Sequence, residues 1–247
     1  MALVQGTPFD DILVGTSGDD IYNARGGDDL LFDLGGGDIF YGGRGNDTLI
    51  LDPEGQLGEH EFLTDAIFDV AIDLGKGQQS DGGVDGDTDT LRGIENYTHV
   101  GKFNMTVFGN QGDNVLKTDA GQDVVHGRSG DDIIKAGSGN DTLNGGRGED
   151  RLYGGTGDDF LTGGKHADLF VFKTGWGVDT ITDFDAKGNV HDTLNLRGLV
   201  TVRGWNDLRN NHLQVDGDDV VIDGGNGSVI VLENVELADL DKGDFFF

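Results

Sequence analysis

The sequence predicts an all-β protein: a parallel β-roll, a solenoid of nonapeptide repeats, in two arrays followed by a C-terminal β capping domain. Three observations carry this expectation. Glycine accounts for 45 of 247 residues, well above the usual share of about 7%. Aspartate supplies 39 of the 46 acidic residues, against 17 Lys and Arg, so the formal net charge is −29. Glycine and aspartate also recur in phase, nine residues apart, which neither a disordered acidic chain nor a helical bundle would produce.

The first array spans residues 1–50. Gly42-Gly43-Arg44-Gly45-Asn46-Asp47-Thr48-Leu49-Ile50 fits the pattern Gly-Gly-x-Gly-x-Asp-x-apolar-x. Stepping back by nines places Asp38, Asp29, Asp20 and Asp11 at the sixth position, and Leu13, Tyr22, Leu31, Phe40 and Leu49 at the eighth. The second array, within residues 100–171, has Asn114, Asp123, Asp132, Asp141, Asp150, Asp159 and Asp168 at the sixth position. Its eighth positions are Leu116, Val125, Ile134, Leu143, Leu152, Leu161 and Phe170. A degenerate row, Val100 to Phe108, precedes it and carries Met105 where Asp is expected.

Each row has a physical reading. Glycines at positions one, two and four admit backbone angles that a side chain would forbid, so the chain turns sharply there. Three residues then run extended, the eighth facing inward because strand side chains alternate. Two rows, eighteen residues, complete one coil. Turns on one side therefore stack at the strand spacing of about 4.8 Å. The expected columns are Asp11 on Asp29 on Asp47, Asp20 on Asp38, Asp132 on Asp150 on Asp168, and Asp123 on Asp141 on Asp159.

Like charges at that spacing oppose folding unless a cation lies between them. Calcium suits such a site because it takes six to eight oxygens at about 2.3–2.6 Å in forgiving geometry, which two carboxylates and several turn carbonyls can supply. Softer metals would call for His or Cys, and the chain has no cysteine. The expected ligands are Asp11, Asp20, Asp29, Asp38, Asp47, Asp123, Asp132, Asp141, Asp150, Asp159 and Asp168. Asn114 can lend a neutral oxygen, whereas Met105 offers no carboxylate. Counting pairs eighteen apart gives three in the first array and five in the second, or about eight ions.

The rows resemble the RTX, or hemolysin-type, nonapeptide repeats of secreted bacterial proteins, a calcium-binding parallel β-roll. Between the arrays, residues 51–99 break the period. Ala71-Ile72-Asp73-Leu74 and Asp89-Thr90-Leu91-Arg92-Gly93-Ile94-Glu95-Asn96 resemble a spacer found between RTX blocks. Phe62, Ile67, Phe68, Val70 and Ile72 could supply strands that cover the end of the first roll. Asp81, Asp85, Asp87 and Asp89 form an acidic loop that departs from an EF-hand at Thr90 and Asn96.

In residues 172–247 alternating strand patterns replace the glycine rows. Asp179 to Asp185 and Asp192 to Leu196 resemble the segment that closes the roll in serralysin-type proteins. Asp219 to Asp223 and Ser228 to Leu232 read as a hairpin about Gly224-Gly225-Asn226-Gly227. The final Asp244-Phe245-Phe246-Phe247 resembles the uncleaved signal of type I secretion, and equally suits a last edge strand. No basic and apolar leader follows Met1, and no apolar run reaches membrane-spanning length.

The acidic balance disfavours nucleic acid and anionic membranes as partners. No catalytic motif completes itself. His60-Glu61 lacks the second His of a zinc protease, with Thr64 in its place, and Gly15-Thr16-Ser17-Gly18 and Gly127-Arg128-Ser129-Gly130 lack the spacing of a nucleophile elbow. The resemblance implies a secreted, extracellular, non-enzymatic calcium-binding protein, passed through type I secretion machinery and folded by calcium outside the cell. Its role is structural or adhesive at the cell surface, with extracellular polysaccharide as a partner. A non-catalytic carrier module of a larger secreted enzyme, epimerase-like or serralysin-like, is the alternative. An enzyme with an unrecognised site is the third reading.

Overall fold

The computed structural model describes residues 2–34, 38–51, 69–74, 78–80, 88–92, 95–99, 101–102, 104–173, 175, 177–188 and 191–247. The chain divides into two compact units, Met1–Val124 and Val125–Phe247.

Each unit winds parallel strands into two sheets, and the register shows the period directly. In the first unit Ala2–Gln5, Asp20–Gly26 and Ile39–Arg44 lie side by side, with Ala2 opposite Asp20 and Ile21 opposite Ile39. The facing sheet runs Ile12–Val14, Leu30–Asp33 and Thr48–Leu51, with Ile12 opposite Leu30 and Leu30 opposite Thr48. Partners are eighteen residues apart, so two nonapeptides make one coil, as the columns predict. In the second unit Thr142–Arg147 pairs with Phe160–Lys165 in one sheet, and Ile133–Ser138 with Arg151–Thr156 in the other.

The strands are longer than the three residues the repeat suggests. Thr142–Arg147 covers positions seven to nine and continues through the next Gly-Gly pair, with Gly146 opposite Gly164. Inward positions are therefore the eighth and the following first. The eighth position builds the core, from Leu13 to Phe170, and Leu31, Leu49, Leu143, Leu152 and Leu161 are fully buried. Each such side chain contributes roughly 1.5–3 kcal/mol by leaving water.

Glycines serve two purposes, which corrects the expectation that all three relax backbone angles. At positions two and four the chain takes positive φ, +121° at Gly155 and +127° at Gly157. At position one no positive φ occurs in Gly154, but a Cβ there would collide with Asp159 Oδ2. Position one is thus small so that the carboxylate can turn inward. Ala24 and Ala136 occupy it in two rows, both buried.

In the break between the arrays, Thr88–Arg92 continues one sheet beside Ile39–Arg44, and Asn96–His99 continues the other beside Thr48–Leu51. Gln78–Ser80 pairs antiparallel with both Asp69–Asp73 and Thr88–Arg92. These segments extend the sheets in line. Phe62, Ile67 and Phe68, His60-Glu61 and the acidic-loop residues Asp81, Asp85 and Asp87 lie outside the described residues.

The second unit closes with Val178–Ile181 in one sheet and Thr193–Gly198 in the other. The hairpin forms as its turn residues suggest, Asp219–Gly225 against Ser228–Leu232, with positive φ at Asn226 and Gly227. Leu213–Asp216 adds an antiparallel edge strand. A short helical segment over Trp205–His212, unforeseen in the sequence, buries Leu208. The chain ends as an edge strand, Phe245 opposite Leu194, with the Phe245 ring 5.5 Å from Trp205.

Gly155→Ala should lower the stability of the calcium-saturated protein by more than ~2 kcal/mol, because the new Cβ meets both a positive φ and the Gly137 carbonyl. Thr156→Ala, one residue on, should change it by less than ~0.5 kcal/mol in the same urea titration.

Candidate metal centre

The sixth-position carboxylates do not hang at the turn in solvent. Asp20, Asp29, Asp38, Asp47, Asp123, Asp132, Asp141, Asp150, Asp159 and Asp168 are all at most 1% exposed; Asp11 alone is half-buried. One oxygen of Asp20, Asp29, Asp38, Asp47, Asp123, Asp150, Asp159 and Asp168 is claimed by the backbone of the preceding coil. Asp11 N donates to Asp29 Oδ1 at 2.8 Å, Asp29 N to Asp47 Oδ1 at 3.0 Å, and Asp20 N to Asp38 Oδ1 at 2.7 Å. In the second unit Asp132 N donates to Asp150 at 2.7 Å, Asp150 N to Asp168 at 2.9 Å, and Asp141 N to Asp159 at 2.9 Å. Asp123 accepts from Met105 N at 2.8 Å, so the row lacking an acid still joins the ladder through its amide. Met105 itself is buried in the core.

The other oxygen is the chemically telling one. Oδ2 of Asp29, Asp47, Asp159 and Asp168 is buried and has no hydrogen-bond partner. A buried anionic oxygen without a donor is costly. Burial accordingly drives the carboxyls upward, with neighbouring acids adding to it: Asp38 to about 7, Asp47 to about 6, Asp159 to about 6 and Asp168 to about 8. Asp20 goes the other way. Burial pushes it up, but bonds from the amides of Ala2 and Thr16 and from the Thr16 hydroxyl outweigh that and hold it below its ordinary value.

The columns also run past the recognisable repeats. Asp159 N donates to Asp179 Oδ1 at 3.0 Å, Asp168 N to Asp192 Oδ1 at 2.9 Å, and Asp47 N to Glu95 Oε2 at 2.9 Å. Steps of 20, 24 and 48 residues concealed these three from a nine-residue count. Their signal was present, since Asp179-Thr180-Ile181 and Asp192-Thr193-Leu194 repeat the Asp-Thr-apolar ending of Asp47-Thr48-Leu49. Asp183 then caps the roll, its two oxygens taking the amides of Gly163 and Gly164 at 2.9 Å each.

A second ladder occupies the fifth position. Oδ1 of Asp10, Asp28, Asp131 and Asn140 accepts the amide eighteen residues on, at 2.8–3.0 Å. These side chains are at the solvent edge and bind coil to coil. His166 stands at position four in place of glycine and adopts its positive φ of 83°.

A cation fits the sixth-position column by donor chemistry: the buried, unpartnered carboxylate oxygens of Asp29, Asp47, Asp159 and Asp168 lie in turns rich in glycine, whose carbonyls carry no side chain to screen them. Among the described residues no three His, Asp or Glu side chains gather to hold a metal. Neutral turn carbonyls must therefore supply most of the shell, which suits a hard cation of high coordination number such as calcium.

Eighteen-residue parallel coils bound by aspartate ladders define a nonapeptide-repeat β-roll. The family model of the RTX calcium-binding nonapeptide repeat matches residues 3–31, 14–49, 108–143, 135–170 and 144–181, and the chain is an RTX calcium-binding repeat protein. No curated protein matches it in sequence. Among solved structures, the extracellular lipase LipA from Serratia marcescens is similar at 23% identity and a TM-score of 0.30, over 98% of this chain and 39% of the lipase. This chain thus spans well under half of that protein's length.

The raised carboxyls set a pH dependence. The cation-free fold carries protons that the unfolded chain releases near pH 3.8, so its stability is greatest below that value and falls as pH rises through about 6 to 8. Chelator-treated protein should gain β-sheet ellipticity when pH is lowered from 8 to 5. Loss of signal over that range would contradict the buried-carboxylate reading.

Proposed function

We propose that this is a secreted, extracellular calcium-binding protein whose folding is driven by calcium after type I secretion, and which acts as a structural or adhesive, polysaccharide-associated surface protein. The supporting observation is the pairing of burial with an unsatisfied carboxylate oxygen at Asp29, Asp47, Asp159 and Asp168. Without cations the columns repel and the coils stay loose. With calcium at the roughly 0.1–1 mM affinities of extracellular modules, folding and binding become one equilibrium. The ligands in this reading are the sixth-position carboxylates Asp29, Asp38, Asp47, Asp123, Asp132, Asp141, Asp150, Asp159 and Asp168, completed by turn carbonyls.

A polysaccharide partner is favoured by where the positive charge lies. In the second unit Ile133–Ser138, Arg151–Thr156, Leu169–Lys173 and Thr193–Gly198 form consecutive strands of one sheet without a single acidic residue. Lys135, Arg151, Lys173 and Arg197 are exposed on its outer face, and Lys135 sits 5.1 Å above the Tyr153 ring. In a chain of net charge −29, a face of cations and an aromatic ring suits an anionic sugar polymer. Among the described residues no helix is long and apolar enough to cross a membrane. The role proposed is binding and not catalysis.

Calcium added to chelator-treated protein should produce a cooperative coil-to-β transition by far-UV circular dichroism, which magnesium does not reproduce. A folded protein indifferent to calcium would refute the switch. Asp150→Ala, which removes a buried carboxylate and the acceptor of the Asp132 amide while keeping its own amide on Asp168, should raise the calcium midpoint several-fold. Asp131→Ala should cost only about 1 kcal/mol at saturating calcium, with the ion count unchanged. Calcium-loaded protein should bind an immobilised polyuronate but not neutral dextran, and Lys135→Glu with Arg151→Glu should weaken that binding at least tenfold.

A further inference from the structure

The fully described turns of the first array are of two kinds. In the turns ending at Asp29 and Asp47, positive φ falls at positions two and four: Arg25 at 76° and Gly27 at 109°, then Gly43 at 114° and Gly45 at 128°. Their aspartates leave Oδ2 buried and unpartnered. The turns ending at Asp11 and Asp20 carry threonine at position two, and no described residue from 6 to 20 has positive φ.

The threonine does the cation's work from within the chain. Thr7 N and Oγ1 both donate to Asp11 Oδ2, at 2.5 and 2.9 Å. Thr16 N and Oγ1 both donate to Asp20 Oδ2, at 2.7 and 2.8 Å, while Ala2 N takes Asp20 Oδ1 at 2.7 Å. Each hydroxyl also receives the amide two residues on, from Phe9 and from Gly18, at 3.3 Å in both turns. Asp20, 1% exposed, therefore has both oxygens satisfied by protein donors. The closure recurs in part at the next array, where Asn110 N donates to Asn114 Oδ1 at 2.8 Å and Asn114 Nδ2 donates to the Glu95 carbonyl at 2.6 Å.

We propose that the turns ending at Asp11 and Asp20 are closed without metal, forming a calcium-independent start to the first roll. These two aspartates, expected from spacing to be ligands, do not fit calcium: the oxygen a cation would need is already held by an amide and a hydroxyl. Of the three carboxylate pairs that spacing assigns to the first array, Asp11 with Asp29 and Asp20 with Asp38 each lose a member. Only Asp29 with Asp47 retains two open turns. The inference rests on the calcium-binding reading above and sorts its turns by position two, where an open turn has a residue at positive φ, Arg25 or Gly43, and a closed one has threonine.

The sequence permits a gain-of-site test. Thr16→Gly converts Gly15-Thr16-Ser17-Gly18-Asp19-Asp20 to the full repeat pattern by one substitution. Native mass spectrometry of calcium-saturated protein, with folding checked by circular dichroism, would count ions in the parent, Thr16→Gly, Asp20→Asn and Asp29→Asn. The expected result is one ion gained in Thr16→Gly, none lost in Asp20→Asn and at least one lost in Asp29→Asn. Loss of an ion in Asp20→Asn, or an unchanged count in Thr16→Gly, would overturn the assignment. If Asp20→Asn does not fold, the Thr16→Gly count decides alone. A parent that binds no calcium would instead refute the calcium reading itself, so the two failures are distinct.

Discussion

The structure depends on one hydrogen bond repeated down each edge: the amide of one coil's sixth residue donating to the carboxylate of the next coil on that side. It fixes the register, because a slip of one residue would turn the inward side chains outward. It also draws the carboxylate out of solvent, against the small first residue of its own repeat. A charged group is thereby committed to the interior with one oxygen satisfied and the other open. The fold cannot be neutral about what occupies that second position. A proton, a cation or a local donor must do so, and the three options place the protein under the control of pH, calcium or its own sequence respectively.

This view separates residues that look alike in composition. Asp131 and Asp132 are adjacent acids, yet one accepts the amide of Glu149 at the solvent edge and the other is buried and linked to Asp150 through its own amide. Adding or removing the first changes cohesion between coils. Changing the second alters the electrostatic condition for folding. The sheet face with Lys135, Arg151 and Tyr153, by contrast, carries no acid.

Much of this was legible in the sequence, because a solenoid repeats its physics at each turn. The eighth-position residues named the core, and the sixth-position aspartates named the columns, since periodicity of nine maps onto stacking of eighteen without further information. Legibility failed where geometry breaks the count. Glu95, Asp179 and Asp192 sit in the columns at irregular steps that only strand pairing reveals. The fifth-position ladder is less legible because Asp, Asn, Glu and Gln share the place, and a hydrogen-bond acceptor is less conspicuous than an invariant residue. The glycine at position one was assigned to backbone freedom when its purpose is clearance. The role of Thr7 and Thr16 lies in hydroxyl contacts with Asp11 and Asp20 that repeat spacing does not reveal.

The alternation of the two sheets makes the length of this protein a quantised variable. A deletion of nine residues within an array would carry every later strand to the opposite sheet and every later acid to the opposite edge. A deletion of eighteen would shorten the roll and leave each remaining strand in its place. The irregular steps obey the same arithmetic by another route, as separations of 20 and 24 residues still return Asp179 and Asp192 to the columns of Asp159 and Asp168. Such a molecule can be lengthened or shortened by whole coils, and its cation capacity would scale with the number of open turns each coil brings.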